Sequence, residues 1–240
     1  MISLLCPTRS RVDGAKKLLL SLKETQTFDN QLIFYIQEDD HDLNKYKEMF
    51  LDMNHKDFII GPWIPTADIW NFLAREIAKY DLLTLMADDV VIKTKGWDLV
   101  YLEKSTTFKD GIFLITCWDG RNKNVPNNLN CPHYTISRKT MNILGYFFPP
   151  FYSHRFGDHQ MDELFSSIKR KISINDVLFD HQKDLYLNDK TTHKGKYLKA
   201  LYLENGKKKE FLLFNDEYFY KKIRRYFESD LRTLLNHINK

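Results

Sequence analysis

Short apolar runs alternate with amphipathic stretches through the first two-thirds of the chain. That alternation predicts a mainly parallel sheet flanked by helices, the α/β class. Residues 2 to 6 read as a buried strand, followed by the polar turn Pro7-Thr8-Arg9-Ser10-Arg11. A helix comes next, with Leu18, Leu19 and Leu22 on one face and Asp13 as its expected N-cap. A second strand, Leu32 to Ile36, ends in Gln37-Glu38-Asp39-Asp40, and a helix over 43 to 53 leads to a third at Phe58-Ile59-Ile60. Gly61-Pro62-Trp63-Ile64-Pro65 breaks the chain, after which Ile69, Phe72, Leu73, Ile77 and Ala78 recur at helical spacing up to Tyr80. A fourth strand, Leu82 to Met86, stops at Ala87-Asp88-Asp89.

Further along, the pattern predicts a helix over 97 to 108, a fifth strand at Ile112 to Thr116, and a polar, Asn-rich loop from Trp118 to Asn130. A strand at His133 to Ser137, a short helix over 138 to 144 and a helix with Met161 to Ile168 on its apolar face follow. Beyond Asp184 the chain turns aromatic, basic and helical, ending in an amphipathic stretch from Tyr218 to Ile238. With 240 residues, 43% of them hydrophobic, one sizeable core is expected. Nine glycines and seven prolines form no linker-like tract, so the reading is one domain with an appendage.

Composition adds two constraints. Cys6, Cys117 and Cys131 are odd in number and lack the paired spacing of a zinc site, which fits a reducing compartment. The first residues carry no basic segment and no apolar stretch long enough for a leader or membrane span, so a cytoplasmic protein, of a bacterium or a virus-infected host cell, is expected. The formal charge is only +4, but Lys194, Lys196, Lys199, Lys207, Lys208, Lys209, Lys221, Lys222, Arg224 and Arg225 crowd the last fifth of the chain. Such a region suits either solvent or a polyanion.

In an open parallel sheet, ligands sit outside the carboxyl ends of the strands. Three of those ends carry polar clusters here: Thr8 to Arg11, Glu38-Asp39-Asp40, and Asp88-Asp89. Adjacent carboxylates repel unless a cation or basic groups compensate, and Mg2+ or Mn2+ prefers such oxygens alongside phosphate oxygens. The alternative is that Asp88 and Asp89 merely cap a turn before Val90-Val91-Ile92.

Taken in order, Pro7-Thr8-Arg9-Ser10, the acidic group after the second strand, Trp70-Asn71, Leu85-Met86-Ala87-Asp88-Asp89-Val90 and Gly96-Trp97 resemble the GT-A glycosyltransferases, especially the family 2-like members. The resemblance spans residues 1 to 195, leaving 196 to 240 as a helical basic C-terminal extension packed on that domain. It implies a Rossmann-like sheet and transfer of a sugar from a nucleoside-diphosphate sugar, helped by Mn2+ or Mg2+. By the same resemblance Pro7, Thr8, Arg9 and Asp39 meet the donor base and ribose, with Arg9 or Arg11 reaching a phosphate. Asp89 takes the metal-ligand position, Asp88 a ribose or shared one, and His181, ending Val177-Leu178-Phe179-Asp180-His181, completes the metal shell. The family motif is usually Asp-X-Asp or three aspartates, and Ala87-Asp88-Asp89-Val90 departs from it. Lys190, with His193 or Lys194, would assist the diphosphate from the following loop.

The segment Phe156-Gly157-Asp158-His159-Gln160-Met161-Asp162-Glu163 resembles the start of the family's acceptor-side helix. Asp158 and Asp162 lie four apart, on one helical face, and either could be the general base of an inverting single displacement. The bland reading makes Asp158 a helix cap. Tyr146, Phe147, Phe148, Phe151 and Tyr152 could stack on a sugar or a base, or simply pack in the core. The basic and aromatic stretch from Tyr218 to Phe227 suits an anionic membrane surface or nucleic-acid phosphates. Two acceptors follow as expectations: a surface glycan or lipid-linked sugar, or a hydroxymethylated base in DNA. A catalytically silent nucleotide-sugar-binding or assembly protein with the same fold is the competing reading.

Overall fold

The computed structural model of the chain describes residues 1–120, 132–152, 156–182 and 224–238. Among them, strands β1 (Ile2–Thr8), β2 (Gln31–Gln37), β3 (Phe58–Gly61) and β4 (Leu82–Leu85) alternate with helices α1 (Val12–Thr25), α2 (Leu43–Asp52) and α3 (Thr66–Phe72). A π-helical turn, Leu73–Ile77, continues α3. Then come β5 (Val90–Ile92), α4 (Trp97–Ser105), β6 (Leu114–Trp118), β7 (Thr135–Ser137), α5 (Arg138–Leu144), α6 (Gly157–Ser167), β8 (Lys171–His181) and α7 (Arg224–Ile238).

The strand order is β3-β2-β1-β4-β7-β6-β8-β5. Strands β1 to β4 pair in parallel, as do β6 and β8, while β7 runs antiparallel to both β4 and β6. Helices cover both faces, which is why the central strands read as continuous apolar runs rather than alternating ones. Along β1, Ile2, Leu4 and Cys6 belong to the cluster packed on α1, α2 and α4; Leu5 belongs to the opposite cluster, with α3, α5, α6 and α7.

Several boundaries differ from the sequence reading. Helix α1 begins at Val12, with Arg11 at the N-cap position and no side-chain cap, so Asp13 lies in the first turn instead of capping it. The reason is local: the Tyr46 hydroxyl accepts the Arg11 backbone N–H at 2.8 Å and holds the chain at that point. Strand β6 starts two residues later than expected and runs through Trp118. Val90–Ile92, which follows Asp88 and Asp89, forms a short strand. The aromatic segment is core: Tyr146, Phe147, Phe148 and Tyr152 are buried, and Phe151 stacks on Tyr226 of α7 with ring centroids 4.4 Å apart.

Two features carry the late strand to the sheet's ligand end. Pairing of β6 with β8 jumps from Cys117–Ile174 to Trp118–Leu178, an irregularity that bends β8. Its last residues then pair antiparallel with β5, placing His181 opposite Val90. Gly96, at φ +69°, enters α4 through the left-handed region, and its N–H donates to the Thr25 carbonyl at 2.7 Å. Trp97 then packs edge-on against Tyr101 and Phe179. No helix among the described residues is long and apolar enough to cross a membrane.

Candidate active site

The site begins with the turn after β1. Ser10 sits at φ +56°, a conformation an L side chain seldom adopts, and buried Asp40 holds it by accepting its backbone N–H at 2.7 Å. Asp40, His41 and Asp42 also bring donor atoms within 4.8 Å of one another. Asp40, however, is spent on Ser10, and Asp42 pairs with Lys45 at 2.8 Å. Arg9 extends to the rim, where its guanidinium donates to both carboxylate oxygens of Asp39, at 2.5 and 3.0 Å. That bidentate pair holds Asp39 below the usual carboxylate range, against the opposing effect of burial.

Asp88 and Asp89 follow β4 and are both buried. Thr8 donates its hydroxyl to Asp88 Oδ2 at 2.8 Å, and Tyr46 Oη lies 2.7 Å from the same threonine oxygen. Thr8 is therefore turned inward as a support for Asp88. Arg11 Nη1 donates to Asp88 Oδ1 at 2.9 Å and stands 3.5 Å from Asp89 Oδ2. On the far side, His181 Nε2 lies 3.1 Å from Asp89 Oδ1, a consequence of the β5–β8 register, and Gln182 N donates to the Asp89 carbonyl at 2.8 Å. His133, also buried, lies edge-on to His181 with ring centroids 4.8 Å apart.

The environment splits the two aspartates. Burial pushes Asp88 up to about 6; Arg11 opposes this and the charge of Asp89 adds to it. Burial alone would raise Asp89 too, but His181, Arg11 and His133 together bring it well below the usual range. Asp89 thus stays charged where Asp88 can take a proton. Asp89 Oδ1 is buried and faces the His181 imidazole nitrogen at 3.1 Å. A carboxylate oxygen and an imidazole nitrogen presented side by side offer two donors to a divalent cation, of which the carboxylate suits Mn2+ or Mg2+.

The floor beneath the acidic pair is braced from below. Trp70 Nε1 donates to the Leu5 and Met86 carbonyls, tying the ends of β1 and β4 together just beneath Asp88. Asn71 accepts the N–H groups of Phe147 and Phe148 and donates to the Phe148 carbonyl, pinning that segment. The Phe148 ring stacks on Trp70 and fills the space a side chain at Gly157 would need: a Cβ there would lie 2.2 Å from Phe148 Cζ. Phe156 at φ +66° delivers the chain into α6, so Asp158 falls in the first turn without capping it. The negative charge of Asp158 reaches buried Tyr134, whose neighbour His133 lies edge-on to His181. Asp162, one turn on, is in a close ion pair with Lys171.

The structure therefore brings Thr8, Arg11, Asp88, Asp89 and His181 together, with Arg9 and Asp39 at the rim. Lys190, His193 and Lys194 lie outside the described residues. Tyr46 and His133 were not legible as site residues. Tyr46 stands in the apolar stripe of α2 with Met49 and Phe50 and reads as core. His133 opens an apolar strand segment, and only the fold sets it against His181.

No family model matches the chain, and no curated protein matches it in sequence. Solved structures do resemble it. A mannosyltransferase from Pyrobaculum calidifontis, solved with GDP-Man and Mn2+, aligns over 98% of this chain and 73% of its own, with TM-score 0.63 and 12% identity. Residues 1–349 of S. aureus TarS with UDP align at TM-score 0.56 and 12% identity over 74% of this chain. This chain spans 59% of that 1–349 fragment and 36% of the longer TarS chain. Glucosyl-3-phosphoglycerate synthase from Mycobacterium tuberculosis, with Mg2+ and UDP, aligns at TM-score 0.53 and 13% identity over 75% of this chain and 71% of its own. At such identities the likeness is one of fold, and the fold is GT-A.

Proposed function

We propose that this chain, which has the GT-A fold, is a metal-dependent glycosyltransferase moving a sugar from a nucleoside-diphosphate sugar to an acceptor hydroxyl. The observation that carries this reading is the convergence of Asp88, Asp89 and His181 from two strand ends, beside Arg11 at the start of α1. The complexes of the neighbours with Mn2+ or Mg2+ and with UDP or GDP-Man support the same ligand class here.

Asp89 and His181 would hold the cation, with Asp88 beside them. When bound, the metal supplies Lewis-acid neutralisation of the charge that builds on the departing diphosphate. Arg9 and Asp39 at the rim, with Pro7 of β1, would take the base and ribose, while Thr8 keeps Asp88 oriented. The N-terminus of α1 favours the anionic diphosphate. Asp158 is the general base: it accepts the acceptor proton as that oxygen bonds to the anomeric carbon and the bond from carbon to the diphosphate oxygen breaks, an inverting displacement. Asp162 forms a close ion pair with Lys171, and Asp158, in the first turn of α6 and 3.9 Å from His159, is the assigned base.

Calorimetry with UDP, GDP and their sugars, with and without Mn2+, tests the site. Binding should require the metal and be lost in Asp89→Asn. Metal-dependent diphosphate binding that survives replacement of both Asp88 and Asp89 overturns the assignment. Binding without turnover of the donor sugar would instead identify a silent nucleotide-sugar-binding protein.

A further inference from the structure

Arg11 stands where the acidic pair most needs positive charge. A single guanidinium nitrogen bridges Asp88 Oδ1 at 2.9 Å and Asp89 Oδ2 at 3.5 Å, and the three side chains are only 12%, 6% and 8% exposed. Two carboxylates buried side by side are unfavourable without a counter-charge, and breaking a buried ion pair leaves its partner uncompensated. His181 meets the other oxygen of Asp89, so Arg11 is the group that spans both acids. The Arg11 backbone is fixed by Tyr46, whereas its side chain is long and rotatable. It also immediately precedes α1, whose first N–H groups and dipole favour an anion.

We infer that Arg11 is an exchangeable counter-ion: it neutralises Asp88 and Asp89 while no metal is bound, and yields them to the divalent cation as its guanidinium turns to the donor diphosphate. This rests on the reading of the site as a metal and diphosphate site. A guanidinium's planar fork serves two phosphate oxygens as readily as two carboxylate oxygens, so the exchange replaces one charge-assisted pair with another. Metal alone must compete with Arg11 for the same oxygens and binds weakly. A diphosphate offers the guanidinium another partner, so metal and nucleotide each tighten the other's binding by the same factor.

The test is Mn2+ binding by the full chain, read from the electron paramagnetic resonance signal of free Mn2+, alone and with UDP or GDP. The wild type should bind Mn2+ about tenfold more tightly with nucleotide than without it. Arg11→Gln should bind Mn2+ alone about tenfold more tightly than the wild type and lose most of the nucleotide enhancement. Arg11→Lys, which keeps the charge, should keep binding of metal alone weak, and serves if the glutamine variant does not fold. If Arg11→Gln binds Mn2+ alone no better than the wild type while Asp89→Asn abolishes binding, the metal reading stands and the exchange is refuted. If the wild type binds no Mn2+ with either nucleotide, the metal reading fails and the exchange with it.

Discussion

Asp88 and Asp89 are adjacent in sequence and opposite in behaviour, because each oxygen meets a different neighbour. Asp88 is pushed up to about 6 chiefly by burial. An unfolded aspartate titrates near about 3.9, so between those values the folded chain keeps a proton that the unfolded chain releases. The protonated form therefore favours the fold below the unfolded pKa, and this contribution is lost as pH rises through about 6. Metal binding has the opposite dependence, since a proton on Asp88 must leave first. Mn2+ affinity is expected to rise with pH through about 6 as that proton leaves. Asp88→Asn should flatten that profile in titrations between pH 5 and 7; an unchanged profile would mean that another group sets it. At this scale the acid pair was legible because two charges ending an apolar run have few structural uses. Tyr46 was not, since a buried tyrosine on a helix stripe looks like any core residue until its hydroxyl is placed on Thr8 and Arg11.

Helix α7 shows what an element adds. Phe227, Leu231, Leu234 and Ile238 share one face and pack on the cluster that includes α5 and α6, with Leu234 fully buried. Asp230 on the same side accepts from Tyr146 and, at 3.4 Å, from Gln160, which in turn accepts the Tyr152 hydroxyl at 2.8 Å. The helix so fixes Gln160 in the first turn of α6, the turn in which Asp158 also lies. Leu234→Ala should cost about 2–5 kcal/mol in urea unfolding, by lost burial and the cavity left behind. Asp230→Ala should cost about 1–3 kcal/mol, by stranding the Tyr146 hydroxyl. A change under about 0.5 kcal/mol for Leu234→Ala would mean that α7 is not docked as described. The apolar period of this helix was readable from sequence, as was the Trp70-Asn71 pair. That Asn71 pins the backbone of Phe147 and Phe148 depends on a contact across more than seventy residues, which no local period encodes.

For the whole molecule, the site joins distant parts of the chain: the turn after β1, the end of β4 and the bent end of β8. A ligand that bridges them binds only the folded state and raises its stability by mass action. With UDP or GDP and Mn2+ at about 100 times the dissociation constant, stabilisation of about 2.7 kcal/mol is expected. That corresponds to a rise in Tm of about 5–11 °C for a chain of this size. His181→Ala should remove most of the shift by loosening the metal. A shift of unchanged size in that variant would place the cation elsewhere.

The sequence by itself determined the class of fold, the order of most strands and helices, and the acidic strand ends of the candidate site. These follow from periodicities over two to four residues and from charge where an apolar run stops. Only the tertiary structure decided that Arg11 lies between Asp88 and Asp89, that His181 meets Asp89, and that Lys171 takes Asp162. Those pairings depend on strand register, on the bend in β8 and on which helix face turns inward. Such choices are settled by packing both faces of one sheet at once, over separations that local pattern does not span.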